Sequence, residues 1–218
     1  MKVNTDSCIL GACIPSNDPA RILDIGTGTG LLALMMAQRF EKAEIDTVEL
    51  DREACRQAEQ NITGSPWPDR IHLHQDRIQS FITWTPGFYD MILTNPPWHE
   101  NHQRSSDPAK SMARHNDYLP AEDLGGCSTK LTPGKGVLYM ALPASFAERY
   151  DRIMVSHELY PCYRLHIFSK PNEVQGRIVL GYKNGEAELN TLRLTIYDEH
   201  SQYTPEFRSL LKDFYLLF

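Results

Sequence analysis

Short apolar runs recur through the first two thirds of the chain and alternate with segments that have a helical pattern. Residues 31–40 are mostly apolar and rich in good helix formers, and the segment from Asp51 onward begins with acidic residues and has few helix breakers. Strands alternating with helices are the order expected of a parallel sheet covered by helices. The strands predicted in this part of the chain span residues 21–25, 45–50, 71–75, 89–94 and 136–142.

The last third of the chain has a different pattern. Three strand-like runs, at 163–168, 177–182 and 192–197, are separated by turn-rich pieces that contain Gly176 and Gly185. These connections are too short for crossover helices, so the three strands are expected to be antiparallel.

Composition favours one soluble domain, residues 1–218, with a short N-terminal lead at 1–20. The chain is 41% hydrophobic and 23% charged, which is typical of globular proteins. No run reaches the ~18 apolar residues that a bilayer span needs, so no membrane partner is expected. The five cysteines are odd in number and contain no C-x-x-C pair. This argues against a disulfide framework and a zinc cluster and favours a reducing cytoplasm.

Charge is distributed unevenly along the chain. The formal net charge of -6 disfavours a nucleic-acid partner at first sight, but residues 101–183 carry 11 Lys and Arg against 8 Asp and Glu. An acidic protein with one positive face is therefore possible. Residues 99–119 form a polar stretch longer than an ordinary connection, which predicts a loop that contacts the substrate.

A glycine-rich turn joins the first predicted strand to the first helix. Asp24, Gly26, Gly28 and Gly30 form a D-x-G-x-G-x-G pattern at a place where exposed helix N–H groups and small residues let a polar ligand approach the backbone. A dinucleotide-binding pattern would need its third glycine at position 31, which is Leu31. The pattern instead resembles that of methyltransferases that use S-adenosylmethionine.

This resemblance implies a fold and a set of cofactor contacts. The fold would be Rossmann-like, of the class I methyltransferase type: a three-layer α/β sandwich with a mostly parallel, seven-stranded sheet and antiparallel C-terminal strands. Glu49, at the end of the second strand, would bind both ribose hydroxyls of S-adenosylmethionine, with Leu50 beside it. Asp76, after the third strand, would bind the adenine amino group. A structural role as a helix cap remains an alternative for Glu49.

The fourth predicted strand ends in Asn95, Pro96, Pro97 and Trp98, and ligand sites of open α/β sheets gather at such strand ends. Two prolines fix the backbone, so the Asn95 side-chain oxygen and a main-chain carbonyl can point in one preset direction. Two acceptors on a planar amino group would favour the cation that forms as the nitrogen takes a methyl group, and losing one such partner costs about 3 kcal/mol of barrier. Trp98 offers a face for base stacking, worth roughly 1–3 kcal/mol. This chemistry requires no metal.

Together, the two motifs resemble amino-methyltransferases that modify adenine N6, cytosine N4 or the glutamine amide nitrogen. The glutamine-modifying members have a helical domain before the glycine motif, and only 23 residues precede Asp24 here. A nucleobase is therefore the expected methyl acceptor.

Further segments add to the resemblance: M-K-V-N-T-D at the start of the chain, the segments around Asn61 and Trp67, and the terminal Phe214-Tyr215-Leu216. With the two motifs, they are similar to the bacterial tRNA1(Val) adenine N6-methyltransferase family. The resemblance implies methylation of adenine 37 in a tRNA anticodon loop, with Thr5 and Asp6 among the cofactor contacts. Ser7 stands where the family usually has Gly. The alternatives are a different methyl acceptor, either another RNA or DNA adenine or a protein amide, and a catalytically inactive homologue that binds S-adenosylmethionine or RNA.

A tRNA partner requires positive groups for its phosphates. Four residues of the polar stretch after Trp98 are candidates for these contacts: Arg104, Lys110, Arg114 and His115. The alternative is that they are ordinary solvated charges. An unpaired anticodon-loop adenine costs less to extrude than a base in a duplex, so the enzyme need not melt a helix.

Overall fold

Parallel and antiparallel strands combine in one sheet in this computed structural model, which describes residues 4–15, 17–85, 87–96 and 119–216. Within those residues the strands are β1 (Arg21–Ile25), β2 (Glu44–Glu49), β3 (Ile71–Gln75), β4 (Met91–Thr94), β5 (Val137–Pro143), β6 (Leu159–Phe168), β7 (Arg177–Asn184) and β8 (Asn190–Thr195).

Helices cover both faces of the sheet. In the described ranges they are α1 (Thr5–Cys13), α2 (Leu31–Arg39), α3 (Arg52–Thr63), α4 (Ile78–Trp84), α5 (Ala121–Leu131), α6 (Ala147–Ser156) and α7 (Pro205–Leu211). Short 3-10 turns at Pro68–Arg70 and Ala144–Phe146 precede β3 and α6.

The strand order is β3-β2-β1-β4-β5-β7-β6-β8, and β1 to β5 are parallel. Strand β7 runs antiparallel to both β5 and β6. The predicted α/β architecture with helices on both faces of a mostly parallel sheet is confirmed.

The predicted number of seven strands is wrong, because the sheet of the described residues has eight. After β7 the chain passes over the end of β6, and β8 then pairs with the outer edge of β6 in parallel. The expectation that the C-terminal strands are antiparallel therefore holds for β6 and β7 but not for β8 beside β6. The backbone groups of β6 that would otherwise form an open sheet edge gain partners in this way.

Two apolar cores lie on opposite faces of the sheet. The first contains buried side chains of α1, α2, α3 and α7, among them Ile9, Met36 and Phe207. The second contains buried side chains of α4, α5 and α6, among them Phe81 and Tyr150. This arrangement is the expected three-layer sandwich.

The N-terminal lead is more ordered than its sequence indicated, because it contains α1. Asn4 caps this helix through Oδ1, which accepts a hydrogen bond from the Ser7 backbone N–H at 2.7 Å. Gly11 packs so closely on α2 that a Cβ atom there would lie 2.7 Å from Met35 Cε. The Arg39 guanidinium of α2 donates to the carbonyls of Gly11 and Ile14, each at 2.6 Å. Helix α1 is therefore fixed to α2.

No helix among the described residues is both long and apolar enough to cross a membrane. All five cysteines are free thiols. The described part of the chain also holds no cluster of three or more His, Cys, Asp or Glu side chains suited to a metal ion.

Arg39→Ala should lower the free energy of unfolding by about 3 kcal/mol, because two carbonyls at the end of α1 lose charged donors. Urea denaturation measures the change. Arg56→Ala is the matched control: its ion pair with Glu53 at 3.3 Å is exposed, so its loss should cost no more than about 0.5 kcal/mol. Equal effects of the two substitutions would contradict the anchoring role of Arg39.

Candidate active site

The turn after β1 requires glycine at three positions. Gly26, Gly28 and Gly30 have φ angles of 72°, 59° and 82°, in the left-handed region that other residues rarely adopt. Gly30 is the N-cap residue of α2. The predicted strand, tight turn and helix are therefore confirmed.

Asp24 lies beneath this turn and is fully buried. Its Oδ2 accepts a hydrogen bond from Thr27 Oγ1 at 2.6 Å. Its Oδ1 has no hydrogen-bond partner among the described residues. Burial raises the pKa of Asp24 to about 7; the Thr27 hydrogen bond opposes this rise and the negative charge of Glu49 adds to it. The structure thus places Asp24 where it supports the turn from below.

Glu49 connects the glycine turn to the end of β2. Its Oε2 accepts a hydrogen bond from Gly28 N at 2.9 Å, and its Oε1 accepts from Leu50 N at 2.8 Å and Asp51 N at 2.9 Å. A carboxylate offers about four acceptor positions, so roughly one remains for a ligand hydroxyl while these bonds persist. Binding both ribose hydroxyls, as the sequence predicts, would require Glu49 to release a backbone donor.

Asp76 lies beside Glu49 at the end of the next strand. Its backbone N–H donates to the Glu49 carbonyl at 3.1 Å. Its carboxylate accepts from Arg77 N at 2.7 Å and from Trp84 Nε1 at 3.0 Å. Although desolvation opposes the effect, these bonds lower the pKa of Asp76. Asp76 is therefore an ionised acceptor at the same edge of the sheet as the glycine turn.

Asn95 follows β4 directly beside the glycine turn. Thr94 pairs in register with Ile25, so Asn95 and Gly26 are the next residues of two neighbouring strands. Parallel strands lie about 4.8 Å apart, which makes the two residues neighbours. Thr94 Oγ1 also donates to the Ile25 carbonyl at 2.9 Å. Asn95, the first residue of the predicted motif for binding the methyl acceptor, and the predicted cofactor turn therefore lie at the same edge of the sheet.

The amide nitrogen of Asn95 faces α1. Nδ2 donates to Ser7 Oγ at 2.7 Å and has a longer contact of 3.4 Å with Asn4 Oδ1. The side chain is half-buried, and the partners of its nitrogen are the polar side chains of Ser7 and Asn4. Because Nδ2 is bound to Ser7, the acceptor that the amide retains for a ligand is Oδ1, which is suited to accept a hydrogen bond from an amino group.

Of the remaining predicted site residues, some lie on α1 or at the ends of strands, and others lie outside the described residues. Thr5 is the exposed first residue of α1, and Asp6 accepts a hydrogen bond from Arg177 Nε at 2.9 Å. Leu50 is half-buried beside Glu49, and Pro96 is buried. Nearly all of the predicted substrate loop 99–119 lies outside the described residues. The same is true of six predicted site residues: Pro97, Trp98, Arg104, Lys110, Arg114 and His115.

Sequence reasoning missed three polar contacts of this edge. Trp84 reaches Asp76 from the end of α4, and Asn61 Nδ2 donates to the Thr29 carbonyl in the glycine turn at 2.8 Å. Ser7 contacts Asn95 across 88 positions of sequence. No local pattern marks such contacts, because only the packing of α1, α3 and α4 on the sheet brings them to the site.

Comparisons with known proteins agree with this geometry. A family model described as a methyltransferase small domain matches residues 1–119. A tRNA1(Val) (adenine(37)-N6)-methyltransferase of Trichodesmium erythraeum is 38% identical over 218 residues, which cover 99% of this chain and 91% of that protein. A protein of the same name from Pectobacterium carotovorum is 36% identical over 217 residues, covering 99% and 88%. The chain belongs to this methyltransferase family.

Solved structures support the fold of this family member. A "predicted O-methyltransferase" of Agrobacterium tumefaciens has a TM-score of 0.72 at 18% identity and covers 94% of this chain and 95% of its own. A ribosomal protein L11 methylase of Lactobacillus delbrueckii has a TM-score of 0.58 at 15% identity, covering 83% and 77%. At such identities the likeness concerns the fold alone, which is the Rossmann-like methyltransferase fold.

The buried Asp24 should make stability depend on pH. Between about pH 4 and pH 7 the folded state retains a proton that the unfolded chain releases, because burial raises the pKa of Asp24 to about 7. The free energy of unfolding should therefore fall as pH rises through this window, by up to about 1.4 kcal/mol per pH unit.

Urea denaturation at several pH values between about 4 and 8 measures this slope. Asp24→Asn is neutral at every pH and should reduce the slope, whereas the exposed control Asp69→Asn should keep it. The same slope in the native chain and in Asp24→Asn would show that Asp24 titrates normally.

Proposed function

We propose that this chain transfers a methyl group from S-adenosylmethionine to N6 of adenine 37 in the anticodon loop of tRNA1(Val). The observation that carries the proposal is the position of Asn95 beside the glycine turn, with its amide nitrogen bound to Ser7 of α1 so that Oδ1 is left as the acceptor. The names of the relatives supply the tRNA and the position of the base. Such a substrate fits a cytoplasmic enzyme.

The residues of the turn fit S-adenosylmethionine. Three glycines without side chains leave the backbone open, and Glu49 retains acceptor capacity beside Gly28. Asp24, buried beneath the turn, has an Oδ1 without a hydrogen-bond partner among the described residues, and a bound cationic ligand would favour its ionised form. When bound, S-adenosylmethionine supplies a methyl group made electrophilic by its sulfonium.

Asn95 activates and orients the acceptor in this proposal. Its Oδ1 accepts a hydrogen bond from the adenine amino group, which draws electron density toward the nitrogen and stabilises the positive charge that develops there. Pro96 is buried and follows Asn95 directly, and a proline restricts the backbone conformation of the residue before it. Trp98 is proposed, from its place in the motif, to stack on the adenine.

Asp76 and Glu49 are proposed to hold the adenosine part of the cofactor. They terminate neighbouring strands, and the Glu49 carbonyl accepts the backbone N–H of Asp76 at 3.1 Å. Asp76 is then the acceptor for the adenine amino group and Glu49 the acceptor for a ribose hydroxyl. Arg104, Lys110, Arg114 and His115 are proposed to contact tRNA phosphates on charge alone.

Mass-spectrometric mapping of nucleosides tests the substrate. We expect tRNA1(Val) incubated with the purified chain and S-adenosylmethionine to gain N6-methyladenosine at position 37, and the same tRNA with guanine at position 37 to gain none. Undiminished methylation of the guanine-37 tRNA would mean that another base is the methyl acceptor. If only a protein amide or DNA were methylated, that acceptor would replace tRNA in the proposal. If the chain bound S-adenosylmethionine but methylated no acceptor, it would be a catalytically inactive homologue.

Asn95→Ala should lower kcat by about 100-fold, because one acceptor on the developing positive charge is worth about 3 kcal/mol. Its Kd for S-adenosylmethionine should stay unchanged. Glu49→Ala should instead weaken cofactor binding and raise the Kd for S-adenosylmethionine about tenfold, because a hydrogen-bond acceptor for the cofactor is lost. Single-turnover kinetics and calorimetry separate the two. The exposed Asn190→Ala at the start of β8 is the control, and an Asn95→Ala rate equal to that of the control would remove Asn95 from the mechanism.

A further inference from the structure

Two residues of the first turn of α1 hold the amide of Asn95. Ser7 Oγ accepts from Asn95 Nδ2 at 2.7 Å, and Asn4 Oδ1 lies 3.4 Å from the same nitrogen. Asn4 and Ser7 also contact each other, because Asn4 Oδ1 accepts the Ser7 backbone N–H at 2.7 Å. The three residues form a closed polar group at the edge of the candidate active site.

This group distinguishes the two ends of the Asn95 amide. The atom of Asn4 that faces Asn95 must be an oxygen, since it accepts a backbone N–H. A flipped Asn95 would bring its own oxygen against that oxygen, which is repulsive. A serine hydroxyl can bond either end of an amide, so Asn4 selects the orientation and Ser7 supplies the shorter hydrogen bond.

Helix α1 is a firm support for this task. Ile9 and Leu10 are fully buried, and Arg39 binds the carbonyls at the far end of the helix. Near the first turn, Asp6 forms an ion pair with Arg177 of β7 at 2.9 Å. Helix α1 is therefore fixed to α2 at its C-terminal end and to the sheet at its first turn.

We propose that Asn4 and Ser7 are positioning residues that keep Asn95 Oδ1 directed toward the amino group that is methylated. This inference rests on the proposed function, because it assigns Asn95 the role of acceptor. Neither residue touches the reacting atoms. Their effect is to disfavour the flipped amide, which would present a donor to an amino group that needs an acceptor.

Three substitutions test the proposal by their effect on kcat. Ser7→Ala removes the hydroxyl, and Asn4→Gly removes the acceptor while keeping a residue type that is tolerated at an N-cap. We expect each to lower kcat about tenfold, with little change in KM for tRNA and in Kd for S-adenosylmethionine. Asn4→Asp keeps an acceptor and a good cap, so it should restore most of the rate.

Thr204→Ala is the matched control for helix stability. The Thr204 hydroxyl caps α7 by accepting the Phe207 N–H at 3.2 Å, so its loss removes a cap away from Asn95. We expect kcat to stay within about twofold of the native value. If Thr204→Ala lowered kcat as much as Ser7→Ala, the effect of Ser7 would be one of general stability, and the proposal would be overturned.

A double-mutant cycle gives the sharpest readout. In the Asn95→Ala background no amide remains to be oriented, so Ser7→Ala should lower kcat by less than twofold there instead of about tenfold. A tenfold loss in both backgrounds would overturn the positioning role while leaving the role of Asn95 intact. A normal rate in Asn95→Ala itself would instead count against the proposed function.

A spectroscopic readout tests the orientation without catalysis. The two side-chain amide protons of Asn95 should exchange slowly with solvent in the native chain and faster in Ser7→Ala, as measured by 15N–1H NMR. The Asn190 side-chain amide, exposed at the start of β8, is the internal reference. Equal exchange of the Asn95 amide in the native chain and in Ser7→Ala would overturn the proposal, whether or not methyl transfer is observed.

Discussion

The parallel pairing of β1 between β2 and β4 determines where the groups of the candidate site lie. Ile25 is in register with Val48 on one side and with Thr94 on the other, so the next residues of the three strands emerge together. The Gly26 N–H continues this pairing by donating to the Val48 carbonyl at 2.8 Å. A slip of one residue would turn every side chain to the other face, and the two buried faces of the sheet forbid it. The separation of the glycine turn from Asn95 is therefore set by the two apolar cores.

The electrostatics of the glycine turn distinguish it from a dinucleotide site. In such sites, N–H groups at a helix N-terminus bind a pyrophosphate. Here the Gly28 N–H is bound by the Glu49 carboxylate at 2.9 Å, and a second carboxyl group, Asp24, is buried below. An anionic ligand would have to displace the Glu49 carboxylate from Gly28 N–H and would disfavour ionisation of Asp24 below it. A cationic or neutral ligand with hydroxyl groups meets no such cost, which agrees with the missing third glycine at Leu31.

Much of the fold could be predicted from the sequence, because each strand carries its own apolar pattern and each turn its own glycine, proline or asparagine. All eight strand-like runs correspond to strands. The number seven comes from the family resemblance and not from these runs. The direction of β8 could not be predicted, since four of its six residues are exposed and its pairing with β6 depends on a partner distant in sequence. Within the site, the glycine turn has a local signal. By contrast, no local signal shows that Glu49 must release a backbone N–H before it can bind two hydroxyls. That requirement depends on backbone donors that only the folded turn brings together.

Helix α1 shows why the two motifs are physically one unit. The glycine turn leads into α2, and α2 holds the end of α1 through Arg39. The other end of α1 carries Ser7, which binds the amide of Asn95. A displacement of α2 at the glycine turn would therefore move α1 and change the direction of the Asn95 oxygen. The sheet fixes the distance between the turn and Asn95, whereas α1 fixes the orientation of the amide. Because an amide has a donor and an acceptor of nearly the same shape, distance alone could not specify the chemistry of this edge.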